Sequence, residues 1–249
     1  MSGHSHWAGI KYKKAALDAK RGKAWSKIAR MIIVAAKQGG GDPSANLTLR
    51  YAIDKAKGAN MPKDTIEKAI KKGTGDLEGM SYEEVLYEGY GSSGVAVMIE
   101  ALTDNRNRTG PEVKKIFEKH GGSLGTSGCV NWMFTKKGLI TVNAANANEE
   151  QLLEIALSAG ADDMQAEGEV FEITCDPAAY EELKKALQEK EIPIEVAEIS
   201  MVPQTTIDIS DEHIAKRIIS LMEAFEDHED VQNTYANFNI PEETIAKIS

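Results

Sequence analysis

Cysteine is nearly absent from this chain: Cys129 and Cys175 are its two, in 249 residues. Two thiols build no disulfide framework, so a reducing cytoplasm is the expected home. Long apolar runs are missing as well. The longest, residues 31–36, spans six residues, whereas a membrane helix needs about 20. No membrane partner is therefore expected. The first nine residues hold no apolar signal segment and no Arg-rich transit pattern, so no targeting leader is expected. With 42% hydrophobic and 27% charged residues, the composition excludes a disordered chain, a collagen and a small disulfide scaffold.

Catalytic patterns are lacking too. None of the five histidines falls in a His-Glu-x-x-His metal motif, and no Ser, His and Asp arrangement suggests a nucleophile. The glycine-dense stretch 121–128 lacks the Gly-Lys-Ser/Thr ending of a phosphate loop. It leads from a helix into a strand, so it reads as a flexible connection. Lys71-Lys72-Gly73-Thr74-Gly75 fails the same test. No enzyme activity, cofactor, metal or small-molecule substrate is expected.

Acid is scarce in one place only. Residues 1–73 hold sixteen Lys and Arg against five Asp and Glu, a net of +11. Residues 74–249 hold thirteen against thirty-four, a net of −21. A basic first third on an acidic body orients toward a polyanion. The blander account of such charge is a set of solvated helix faces. Within the basic third, Lys11, Lys13, Lys14, Lys20, Arg21, Lys23, Lys27 and Arg30 interleave with Trp7 and Tyr12, and Lys71 and Lys72 follow. Cations suit backbone phosphates and aromatic rings suit exposed bases. A second candidate is the polar stretch 103–109, read as a loop, where Arg106 and Arg108 stand among Asn and Thr donors. The same Asn and Asp residues also build turns and caps.

Periodicity organises the rest. Apolar spacing predicts helices over 11–20, 23–38, 46–57 and 63–72, punctuated by Gly39-Gly40-Gly41-Asp42-Pro43 and Asn60-Met61-Pro62. Strands 85–90 and 95–102 flank a Gly-Ser-Ser-Gly turn as a hairpin. A helix over 112–120 and a strand over 130–134 follow. Residues 139–202 then read as β-α-β-β-α-β, a ferredoxin-like unit. Residues 205–240 read as β-α-β, matching the β-α-β of 95–134. The two halves are expected to join. The fold class is α+β in three domains. A basic all-helical domain covers 1–75. A discontinuous ferredoxin-like α+β domain covers 76–136 plus 204–249. A second ferredoxin-like domain, 137–203, is inserted into it.

Several long motifs are familiar. They include Gly3-His4-Ser5, Lys20-Arg21-Gly22-Lys23, Ala52-Ile53-Asp54-Lys55-Ala56-Lys57, Asn60-Met61-Pro62-Lys63 and Tyr87-Glu88-Gly89-Tyr90-Gly91. Thr103-Asp104-Asn105-Arg106-Asn107-Arg108-Thr109, Leu124-Gly125-Thr126-Ser127-Gly128 and Asp230-Val231-Gln232-Asn233 add to them. Together they resemble the YebC/PmpR family, which includes the mitochondrial translational activator of cytochrome c oxidase. The resemblance runs from residue 3 to about residue 241. His6 stands where the family usually has Lys, and Trp25 where it has Phe. The resemblance implies three domains, a cytoplasmic location and no catalysis. It also implies one of two functions: a probable transcriptional regulatory protein binding DNA through its basic N-terminal region, or a ribosome-associated translation factor binding rRNA or tRNA.

Overall fold

The computed structural model describes residues 21–75, 82–167 and 169–248. The helix expected over 11–20 lies outside them. Three helices form the head: α1 (Arg21–Gly39), α2 (Leu47–Gly58) and α3 (Lys63–Thr74). Ile28, Ile32, Ala35 and Ala36 make one stripe on α1, and α2 and α3 both pack along it. Asn46, buried, ties the first two helices together. Its side chain caps α2 by accepting the Leu49 N–H at 3.0 Å, and donates to the carbonyls of Ala35 and Gly40, each at 2.8 Å.

Next come β1 (Glu83–Tyr90), β2 (Ala96–Thr103), α4 (Arg106–Lys119) and the two-residue β3 (Ser123–Leu124). The second sheet unit runs β4 (Phe134–Asn143), α5 (Glu149–Ser158), β5 (Ala161–Glu167), β6 (Val170–Cys175), α6 (Tyr180–Glu189) and β7 (Ile194–Pro203). The chain closes with β8 (Ile207–Asp208), α7 (Glu212–Glu226), β9 (Val231–Ala236), β10 (Phe238–Asn239) and α8 (Glu242–Ile248). No described helix is long and apolar enough to cross a membrane.

The second unit has the expected ferredoxin-like form: strand order β5-β6-β4-β7, every neighbour antiparallel, with α5 and α6 on one face. Its core gathers Ile140, Leu152, Ile173, Leu183 and Leu187. The strands expected over 130–134 and 139–142 need correction. Residues 131–133 form a single helical turn, and one continuous strand begins at Phe134.

The first sheet has the order β3-β1-β2-β9. The short strand expected at the start of 205–240 does not join this sheet. That segment pairs only with β10, away from the four-stranded sheet, and β1 takes the place between β3 and β2. Hairpin pairing along all eight residues of β1 outcompetes a distant five-residue segment, because a short turn costs less loop entropy. The C-terminal helix α7 does belong to this layer. Ile218, Leu221, Met222 and Phe225 join Val97, Ile99, Val113 and Phe117 in one core, with Phe117 and Phe225 edge to face at 4.8 Å. The opposite face of β2 is covered by Val130, Phe134, Tyr235 and Met201, which is where the two sheet layers meet.

Candidate nucleic-acid interface

The basic residues of α1 do not share one role. Lys27 donates from Nζ to the Glu226 carbonyl oxygen at 2.5 Å. Arg30 reaches the Asp230 carboxylate at 2.9 Å, donates to the Glu229 carbonyl, and lies 5.6 Å from the Tyr82 ring centre. The structure thus turns both cations toward the body.

Arg106 and Arg108 sit in the first turn of α4, so the loop expected over 103–109 is corrected. Asn105 caps the helix by accepting the Arg108 N–H at 3.1 Å. The Arg108 guanidinium holds Asp230 at 2.6 Å and Asp104 at 3.0 Å. Arg106 is exposed, with Glu83 at 3.7 Å.

Asp230 is the hub. It is buried, and it accepts from Arg30, Arg108 and the Thr109 hydroxyl, the last at 2.7 Å. Burial pushes its carboxyl pKa up. Hydrogen bonds from Arg108 and Thr109, with the charges of Arg108 and Arg30, outweigh that and hold it below the usual carboxylate value. Glu112, His228 and Asp230 place ligand atoms within 4.8 Å of one another, the spacing a metal ion requires. Their bonds argue otherwise. The Asp230 N–H donates to His228 Nδ1 at 3.1 Å, so Nε2 carries the ring hydrogen toward Glu112 at 3.0 Å. The Asp230 oxygens face two guanidinium groups. This set fits a hydrogen-bond relay and does not fit a cation.

On the outer face of α3, Lys68, Lys71 and Lys72 follow helical spacing and are exposed, with no carboxylate paired to them among the described residues. Here the positive charge is available. Lys71 and Lys72 were expected as contacts. Lys68, not among the expected contacts, shares their face by its helical spacing.

The end of the Gly-rich stretch 121–128 and the turn that follows it cradle an anion, and that anion is internal. Glu88, 2% exposed, accepts the N–H groups of Gly128, Val130 and Asn131 at 2.6, 2.8 and 2.7 Å. The connection is therefore a pinned one, and these three donors are already satisfied. Cys129 sits in this turn, whereas Cys175 is fully buried at the end of β6. Burial raises both thiols, which disfavours the nucleophilic thiolate.

Residues 5–76 match the family described as "TACO1/YebC protein N-terminal domain", and residues 82–238 match "TACO1/YebC second and third domain". The chain belongs to the TACO1/YebC family. Among its TACO1/YebC relatives, a protein named "Probable transcriptional regulatory protein" from Elusimicrobium minutum is 52% identical over 249 residues, all of both chains. One of the same description from Geobacter sulfurreducens is 54% identical, again over the whole of both chains. A crystal structure of a conserved hypothetical protein from Aquifex aeolicus superposes with a TM-score of 0.84 at 52% identity, covering 95% of this chain and 97% of that one.

For this TACO1/YebC chain the expected contacts therefore divide. Trp7, Lys11, Tyr12, Lys13, Lys14 and Lys20 lie outside the described residues. Arg21 and Lys23 fall in the first turn of α1. Lys27, Arg30 and Arg108 hold the head, the start of α4 and the segment before β9 together. Lys71 and Lys72 face solvent.

Proposed function

We propose that this chain is a non-enzymatic regulator of gene expression, acting in the cytoplasm, that binds nucleic acid through its basic helical head. The observation that carries the reading is the division of charge, +11 over residues 1–73 and −21 over the rest. It is supported on the folded head by the exposed lysine face of α3, to which no carboxylate among the described residues is paired. Such a molecule approaches a polyanion head first, because the body is repelled. The name shared by its relatives makes promoter DNA the first ligand to test. The reading needs neither a cofactor nor a metal.

The same charge division favours a second ligand, the ribosome, since a basic head can enter an RNA-rich site while an acidic body projects outward. Co-sedimentation with purified ribosomes over a salt series, with excess duplex DNA as competitor, separates the two. Binding that survives the competitor near physiological salt assigns the protein to translation. Binding lost to the competitor assigns it to DNA. If Lys13→Glu with Lys14→Glu binds both ligands as the unchanged chain does, the N-terminal part of the proposed surface is wrong.

A further inference from the structure

Trp132 is 67% exposed, the most exposed large apolar side chain among the described residues. It is also fixed in place. Its ring N–H donates to the Cys129 carbonyl at 3.1 Å, and the hydroxyl of the exposed Tyr90 donates to the same oxygen at 3.1 Å. The backbone beneath is held by Glu88 through the Gly128, Val130 and Asn131 amides. Val130 and Met133 on either side of Trp132 pack inward against Ala96 and Met98, while Trp132 turns out. One exposed aromatic is ordinary on a protein surface. Two aromatic side chains tied to one backbone oxygen make a preorganised surface, whose ordering cost is met before any ligand arrives.

The charge around it indicates the ligand. Residues 119–148 contain no Asp or Glu, although acids fill 34 of the 176 positions from Thr74 onward. Lys119, His120, Lys136 and Lys137 lie within this stretch; Lys137 is paired with Asp162 at 2.9 Å, and the one carboxylate beneath the turn, Glu88, is enclosed by the Gly128, Val130 and Asn131 amides. At its start the Arg217 guanidinium from α7 covers Gly121, where φ is +73° and a Cβ would lie 2.7 Å from Arg217 Cζ. Burial, and then the charges of Lys119 and Arg217, push the His120 pKa down. The exposed neighbours Ser123, Thr126, Ser127 and Asn131 are neutral hydrogen-bonding residues. The acids at the far end of β1, Glu83 and Glu84, face Arg106 and Gln38.

We propose that Trp132 and Tyr90 form a stacking platform for an unpaired base of a single-stranded nucleic acid, with Lys119 and Arg217 taking its backbone phosphates. This inference rests on the nucleic-acid reading and adds to it a second contact, on the acidic body. Ring faces stack on any base, and paired bases inside a duplex are not available to them.

Fluorescence anisotropy of the full chain with a short unpaired RNA, the DNA of the same sequence and the matching duplex tests it. Trp132→Ala is expected to weaken single-strand binding about ten- to a hundredfold and to leave duplex binding unchanged. Trp132→Phe, which keeps a ring, is expected to retain most of the affinity. Arg217→Gln is expected to lower the salt dependence of single-strand binding by about one ion. Equal affinity for the two single strands, or a preference for RNA, supports the platform. Unchanged single-strand affinity in Trp132→Ala overturns it, as does a chain that binds only duplex; the proposed function survives both results. A chain that binds none of the three ligands overturns both.

Discussion

Two buried carboxylates, Glu88 and Asp230, join parts of the chain that are distant in sequence. Glu88 gathers three amides of the 121–131 turn. Burial pushes its pKa up, but the three backbone bonds outweigh that and hold it below its ordinary 4.5. Glu88→Gln removes the charge and sets an amide NH2 against backbone donors. It is expected to cost about 2–3 kcal/mol, measured by urea denaturation. The pH dependence follows from the direction of the shift. A group with a depressed folded pKa contributes its stability above the unfolded value and loses it as pH falls through the folded value. Glu88 and Asp230 both have this sign. The melting temperature is therefore expected to hold from neutral pH to just above the ordinary carboxylate range and to fall below it. Glu88→Gln should flatten that acid limb. Neither role was legible in the sequence. Glu88 meets residues 40 to 43 positions away, and Arg30 meets Asp230 across 200. No spacing rule reaches that far.

Among the elements, helix α3 shows how packing and charge divide one amphipathic segment. Its inner side approaches α1 so closely that a Cβ on Gly73 would strike the Ile33 carbonyl and lie 2.6 Å from Ala36 Cβ. Gly73→Ala is expected to destabilise the head by about 1–3 kcal/mol, read by thermal melting. The helical propensity of Ala would predict the opposite sign. The outer side carries Lys68, Lys71 and Lys72. Replacing all three by Glu is expected to leave the fold intact, because exposed charges contribute little stability. It should also weaken polyanion binding and reduce the slope of log K against log salt by about two to three. An unchanged slope in a filter-binding assay would remove α3 from the interface. These helices were legible because their apolar periodicity is local. The start of α4 was not: Thr103-Asp104-Asn105-Arg106 reads as a turn until the Asn105 cap and the Asp230 partner of Arg108 are seen.

At the scale of the whole molecule, a basic head is fastened to an acidic body by some of the head's own cations. Arg30 is 15% exposed in its side chain and Asp230 is 2% exposed, so solvent screens this pair weakly. Arg30→Ala leaves Asp230 with Arg108 and Thr109 alone. Amide exchange is expected to rise in residues 226–231 and at the start of β1, near Tyr82, while the core of the second sheet unit stays protected. Exchange unchanged at the seam would mean that apolar contacts alone fasten the head. One such contact is visible where Tyr51 of α2 meets Tyr180 of α6 edge to face at 6.3 Å.

The sequence by itself determined the family, the α+β class, the helical head, the second ferredoxin-like unit and the polarity of charge. Each of these is carried by local periodicity, by contiguous motifs or by simple counting. Tertiary structure alone decided which strand completes the first sheet, because a near hairpin partner displaced a distant one. It also decided which cations serve the fold and which face solvent. Lys27, Arg30 and Arg108 look like Lys71 and Lys72 in a list of charges, and only the position of a partner, 199 and 200 residues away for the first two and 122 for Arg108, separates them. Trp132 is the converse case. Residues 130–134 read as a strand, and folding instead leaves the Trp132 ring in water, because the turn that carries it is anchored from beneath by Glu88.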